Sequence, residues 1–155
     1  DVLFEAWTKA SRAMQLANEQ VSGRGHPDKD NISRYLDFQW WPEFYTRYNG
    51  FITLETTQYA NAMPGSKLCS IYETAEGNCG DKISAFVTAD SIEFYASQAL
   101  ELLRSIHGED TELLLLIGDL KAMSNISLYN AYKNRAAIYL NQGNEMKSFE
   151  AISKA

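Results

Sequence analysis

The sequence predicts an all-α fold, an antiparallel helical bundle or irregular α-domain of four to five helices with a disulfide-pinned loop. Apolar residues recur at helical spacing through several segments, capping and stop residues stand at the segment ends, and two cysteines bracket a turn-rich stretch. The 155 residues read as a single helical domain over 1–155, long enough to bury a core without further staples.

The first helix is read from Leu3, Trp7, Ala10, Met14, Ala17 and Val21. Steps of four and three put them on one face and leave Glu5, Lys9, Arg12 and Glu19 to solvent. Ser22-Gly23-Arg24-Gly25 ends it, because glycine takes up the left-handed backbone of a helix stop. Residues 22–37 then read as a polar connection. A second helix is expected over about 41–62, with Pro42 in its first turn, Phe44, Tyr45, Tyr48 and Ile52 behind it, and Pro64-Gly65 as its end. Gly50, Thr53, Thr56 and Thr57 lower helix propensity there, so a strand over 48–54 stands as the alternative.

Residues 64–89 hold both cysteines and most turn formers, and read as loop with room for a short helix. Asp90 and Glu93 have capping-box spacing, with Ile92, Tyr95, Ala99, Leu102 and Ile106 following at helical intervals up to His107-Gly108. Asp110 caps the next helix, whose stripe is Leu113, Ile117, Leu120, Leu128, Ala131 and Ile138, interrupted by Ser124 and Arg135. Gly143-Asn144 ends it, and Met146, Phe149 and Ile152 form a last short helix.

Charge excludes one class of partner. The net charge is −6 and the lysines and arginines are scattered singly, whereas nucleic acid and anionic membranes demand a concentrated basic face. The longest strongly apolar run, residues 113–117, is far too short to cross a bilayer, so no direct membrane insertion is expected. The chain opens without Met and without a basic-then-apolar signal, which reads as a mature or excised product. Cys69 and Cys79, ten residues apart among Gly, Ser and Asn, suit a local disulfide and hence a periplasmic or secreted setting; two thiols in a reducing compartment are the alternative. Asn31-Ile32-Ser33 and Asn125-Ile126-Ser127 are glycan sequons.

Motifs for chemistry are sparse. Gly25-His26-Pro27-Asp28-Lys29 shares letters with S-adenosylmethionine synthetases and with the His-Pro-Asp tripeptide of J-domains, yet it lacks their framing and reads as a polar turn. The two histidines, His26 and His107, lie far apart and belong to no metal-ligand spacing, so neither a metal nor a cofactor is expected. No nucleophile motif occurs, and the chain is read as non-enzymatic.

The densest constellation is the aromatic string around Trp40, Trp41, Tyr45 and Tyr48, with Arg34 and Arg47 beside it. One helix cannot bury rings on every side. They therefore form either the core or the wall of a site, with Arg47 or Arg34 as a bidentate grip on a carboxylate.

Tyr132, Asn134-Arg135-Ala136, Tyr139 and Gly143-Asn144, followed by Ser148, Ile152 and Ala155, resemble a tetratricopeptide helical hairpin over residues 130–155. The resemblance implies that Ala136, Tyr139, Gly143, Ser148 and Ala155 let two helices pack closely. The same tail is similar to the last helix of periplasmic helical sensor domains, although Asn134-Arg135-Ala136 replaces their Glu-Arg-Ala string. The expected function is an extracytoplasmic ligand-binding or sensor domain that recognises a small molecule through an aromatic-lined site. The alternative is a protein–protein interaction or assembly module, including a homo-oligomer.

Overall fold

The computed structural model describes residues 1–21, 23–26, 29–32, 54–58, 60–63 and 65–155. Among them the order is α1 (Val2–Gln20), β1 (Gly23–His26), β2 (Lys29–Ile32), α2 (Leu54–Thr57), β3 (Ala60–Asn61), α3 (Ile71–Glu76), α4 (Ala85–Arg104), α5 (Thr111–Asn141) and α6 (Glu145–Ile152). The fold is all-α in character. Three long helices, α1, α4 and α5, pack on one another, α6 folds back on α5, and a small sheet stands at one end.

Alanine sets the spacing of the bundle. Ala6, Ala10 and Ala13 on α1 and Ala89, Ala96 and Ala99 on α4 have no exposed surface. Side chains that short let backbones approach, and the larger residues Ile92, Leu103 and Leu120 fill the gaps between them. This shifts the buried face of α1 from the expected stripe. Ala6, Ala10, Ala13, Leu16, Ala17 and Gln20 are buried, while Met14 lies at the edge and Trp7 is 52% exposed. A close interface has no room for an indole, so ring size outweighed hydrophobicity.

Three boundaries differ from the expected ones. The connection after α1 is not wholly irregular: β1 pairs antiparallel with β2 and with β3, in the order β2-β1-β3. The helix expected over 41–62 does not run to its end, since α2 stops at Thr57 and Ala60–Asn61 pairs with Arg24 and Gly23. Most of that segment, and nearly all of the strand alternative over 48–54, lies outside the described residues.

The third difference matters for the site. Helix α4 begins at Ala85, capped by Ser84, whose side chain accepts from the Val87 amide. Asp90 and Glu93 are therefore internal to the helix and form no cap. The capping box belongs to α3 instead: Ser70 accepts from the Glu73 amide, and Glu73 accepts from the Ser70 amide, both at 3.0 Å.

The α3 loop is held shut several times over. Cys69 and Cys79 form the expected disulfide, with Cα atoms 5.4 Å apart. Leu68 and Ile83 bridge in parallel, with backbone bonds Cys69 to Ile83 and Ile83 to Lys67 of 2.8 Å. Lys82 reaches the Glu73 carboxylate at 3.0 Å. Backbone donation from Ser70, aided by Lys82, lowers the Glu73 pKa against the opposing effect of burial.

Asp110 caps α5 as expected, accepting from the Leu113 amide at 2.9 Å. Ser124, which broke the apolar stripe, is buried and donates to the Leu120 carbonyl at 2.9 Å, so the helix absorbs its hydroxyl. The turn into α6 uses Gly143 at φ 72°, a left-handed conformation suited to glycine, and Asn144 caps α6 through the Lys147 amide. The stripe expected on α6 is reversed. Ser148 and Ala151 face inward, the Ser148 hydroxyl donating to the Ala136 carbonyl at 2.8 Å, while Met146 and Phe149 are each 72% exposed. Small residues win that face because α6 lies close on α5.

Candidate functional site between the last three helices

Helices α4 and α5 run antiparallel, so each step along α4 is matched by an equal step back along α5. Three cross-pairs follow from that register. Phe86 meets Tyr139, with ring centroids 5.2 Å apart. Asp90 meets Arg135, Nη2 to Oδ1 at 2.6 Å. Glu93 meets Tyr132, whose hydroxyl donates to Oε1 at 2.7 Å. Arg135 also spans to Glu93, Nη1 to Oε2 at 2.6 Å, which makes its guanidinium the bridge between two carboxylates one helical turn apart.

Burial alone would raise the Glu93 pKa, but hydrogen bonds from Tyr132 and Arg135 outweigh it and the net shift is downward. The bond to Glu93, with burial and the nearby negative charge, raises the pKa of Tyr132. Burial disfavours the Arg135 cation, yet bonds to Asp90 and Glu93 more than restore it. Arg135, which looked like a fault in the α5 stripe, is thus a half-buried ion-pair centre.

A groove of about 340 Å³ opens beside this row, at the lower end of the ~300–1,000 Å³ of small-molecule sites. One wall is Asp90 and Glu93 of α4, the floor is Tyr132, Arg135 and Tyr139 of α5, and the other wall is Lys147, Glu150, Ala151 and Lys154 on and just after α6. The Lys147 ammonium lies 5.6 Å from the Tyr139 ring centroid. Among the described residues neither Lys147 nor Lys154 has a carboxylate within 4.0 Å. Lys154 acts on Glu93 through charge alone.

The sequence-based site falls elsewhere. Trp40, Trp41, Tyr45, Tyr48, Arg47 and Arg34 all lie outside the described residues. Sequence reasoning named none of the groove residues as site residues, the charged Asp90, Glu93, Arg135, Lys147, Glu150 and Lys154 included. The available signal was Arg135 within an apolar stripe, since an arginine there requires acidic partners from a neighbouring helix. Among the described residues no group of three His, Cys, Asp or Glu side chains could hold a metal, and no helix is long and apolar enough to cross a membrane.

Comparison with protein-family models, with curated proteins and with solved structures finds no match. The geometry therefore carries the functional argument.

Removing the Arg135 guanidinium leaves two carboxylates facing each other without their cation. Asp90 and Glu93 retain 70% and 36% side-chain exposure, so water offsets part of the loss. Arg135→Ala is expected to cost about 1–2 kcal/mol, measured as a shift in urea midpoint at pH 7. Because the folded Glu93 pKa is depressed, its stabilisation is present above the ordinary carboxylate range and is lost as the pH falls through the folded value. Wild-type stability should therefore fall more steeply than that of Glu93→Gln between about pH 5 and pH 3. Parallel curves would show that the network adds no pH-dependent stability.

Proposed function

We propose that this chain is a non-enzymatic, extracytoplasmic ligand-binding domain of sensor type, and that a small charged molecule binds between α4, α5 and α6. The observation that carries the reading is the pair Lys147 and Lys154, set without ion-pair partners among the described residues along a groove whose floor is already organised by the Arg135 network. Such a floor is held in place by its own hydrogen bonds, so a ligand need not order it. The same bonds occupy the charged groups of the floor and are the reason for a non-enzymatic reading. The disulfide supports an oxidising compartment.

A ligand touching both α4 and α6 would favour the spacing at which both walls reach it. That differential affinity would displace α6 along α5, and the displacement would be the signal. Two-dimensional NMR titration with a library of charged metabolites should move resonances of Tyr139, Lys147 and Ala151, and Lys147→Ala/Lys154→Ala should lose the response. If Trp41→Ala/Tyr45→Ala abolishes binding while the lysine variant retains it, the aromatic string is the site and the groove is not.

A second reading, as an assembly module, is favoured by exposed apolar groups. Phe4 and Trp7 are 61% and 52% exposed, and their rings meet edge to face at 6.0 Å. Leu114 and Leu115 are 52% and 65% exposed at the end of the bundle where Leu3 and Leu113 share a core cluster. Sedimentation equilibrium should then show a dimer or larger species that Trp7→Ser dissociates. A monomer at every concentration would sink this reading.

A further inference from the structure

We infer that the ligand of the α4–α5–α6 groove is a zwitterion, a small molecule with one ammonium and one carboxylate group, as in a free α-amino acid. The inference rests on the reading of this groove as a ligand site and names the class of molecule it takes.

The two sides of the groove carry opposed charge. On the α4–α5 side the two carboxylates of Asp90 and Glu93 face the one guanidinium of Arg135, which leaves an excess of one negative charge. On the α6 side the lining holds Lys147 and Lys154 with the one carboxylate of Glu150, which leaves an excess of one positive charge. The lining as a whole is neutral, but its two walls are not. A polyanion would meet the lysines and be repelled by α4, and a polycation would meet the reverse. A molecule with both charges can satisfy both walls at once.

Hydrogen-bonding capacity points the same way. The Asp90 oxygen not used by Arg135 belongs to a side chain that is 70% exposed, so it can accept from an ammonium without breaking the existing bridge. Glu150 stands four residues before Lys154, a spacing that would ordinarily pair them, yet no such ion pair forms among the described residues. Lys154 therefore keeps donors for a carboxylate. The rings of Tyr132 and Tyr139 supply apolar surface between the two ends.

The test is calorimetric titration of the whole chain with each of the twenty common L-amino acids, then with the N-acetyl and the carboxamide forms of the tightest binder. At least one amino acid should bind with Kd below about 1 mM. Blocking either charge should weaken it about tenfold or more. Lys154→Gln should weaken the free amino acid about tenfold and leave the carboxamide form nearly unchanged, a coupling that a merely structural role for Lys154 does not produce. Blocked forms that bind as well as the parent, or acetate or phosphate binding in place of any amino acid, overturn the zwitterion assignment while the groove stands as a ligand site. If no amino acid or anion binds and no charged metabolite moves the groove resonances, both fall together.

Discussion

Ile92→Ala is expected to cost about 3–4 kcal/mol, the largest effect of any single truncation proposed for this chain. Ile92 has no exposed surface and sits in a cluster with Ala13, Leu16, Ala17, Ala89, Ala96 and Ala131, with Tyr95 and Leu128 packed against it. In that layer most neighbours are already methyl groups. Removing the three carbons beyond Cβ leaves a void that alanines cannot fill by changing rotamer, so the cavity term adds to the lost transfer energy. Helices α1 and α5 would have to move inward to close it, and the close contacts of Ala6, Ala10 and Ala99 further along resist that movement. For a chain of 155 residues the loss corresponds to a fall in Tm of roughly 10 °C. Urea denaturation followed by far-ultraviolet circular dichroism measures it. A loss below about 1 kcal/mol would mean that the layer collapses freely and that alanine spacing does not hold the bundle.

Reduction of Cys69–Cys79, or its replacement by serine, is expected to cost about 2–3 kcal/mol. The bond closes a loop across a sequence separation of ten, and the stabilisation comes from restricting the unfolded chain. The folded loop has independent supports: the parallel bridge at Leu68 and Ile83, the Ser70–Glu73 box and the Lys82 ion pair. The double variant should therefore still fold, with α1, α4 and α5 intact and a Tm about 5–10 °C lower. A loss of helical signal out of proportion to the six residues of α3 would show instead that the loop nucleates the bundle. An unchanged Tm on reduction would show that the bond does not restrict the unfolded chain enough to stabilise the fold.

Much of the fold was legible because its signals are local. Asp110 and the glycine at 143 act on backbone within four residues of themselves, so spacing along the chain suffices to find them. The disulfide was legible for the same reason, as a short closure in a segment of turn formers. The start of α4 was misread because two local patterns competed. Asp90 and Glu93 have the letters of a capping box, while Ser84 caps without a partner glutamate and leaves a weaker mark. The direction of α6 was misread because hydrophobicity was weighed without distance: Phe149 is apolar, but only a serine and an alanine fit where α6 touches α5.

The candidate groove was not legible in any one segment. By itself the sequence determined the helical class, the Asp110 cap and the Gly143 stop, the disulfide and the presence of an arginine in an apolar stripe. Only the tertiary structure decided that this arginine stands opposite Asp90 and Glu93, 45 and 42 residues away, and that Lys147 and Lys154 form the facing wall. The physical reason is that helix propensity and capping act over a few residues, whereas the pairing of charges across helices depends on their relative register. That register is set by which small side chains let the backbones meet, a property of two surfaces together and of neither alone.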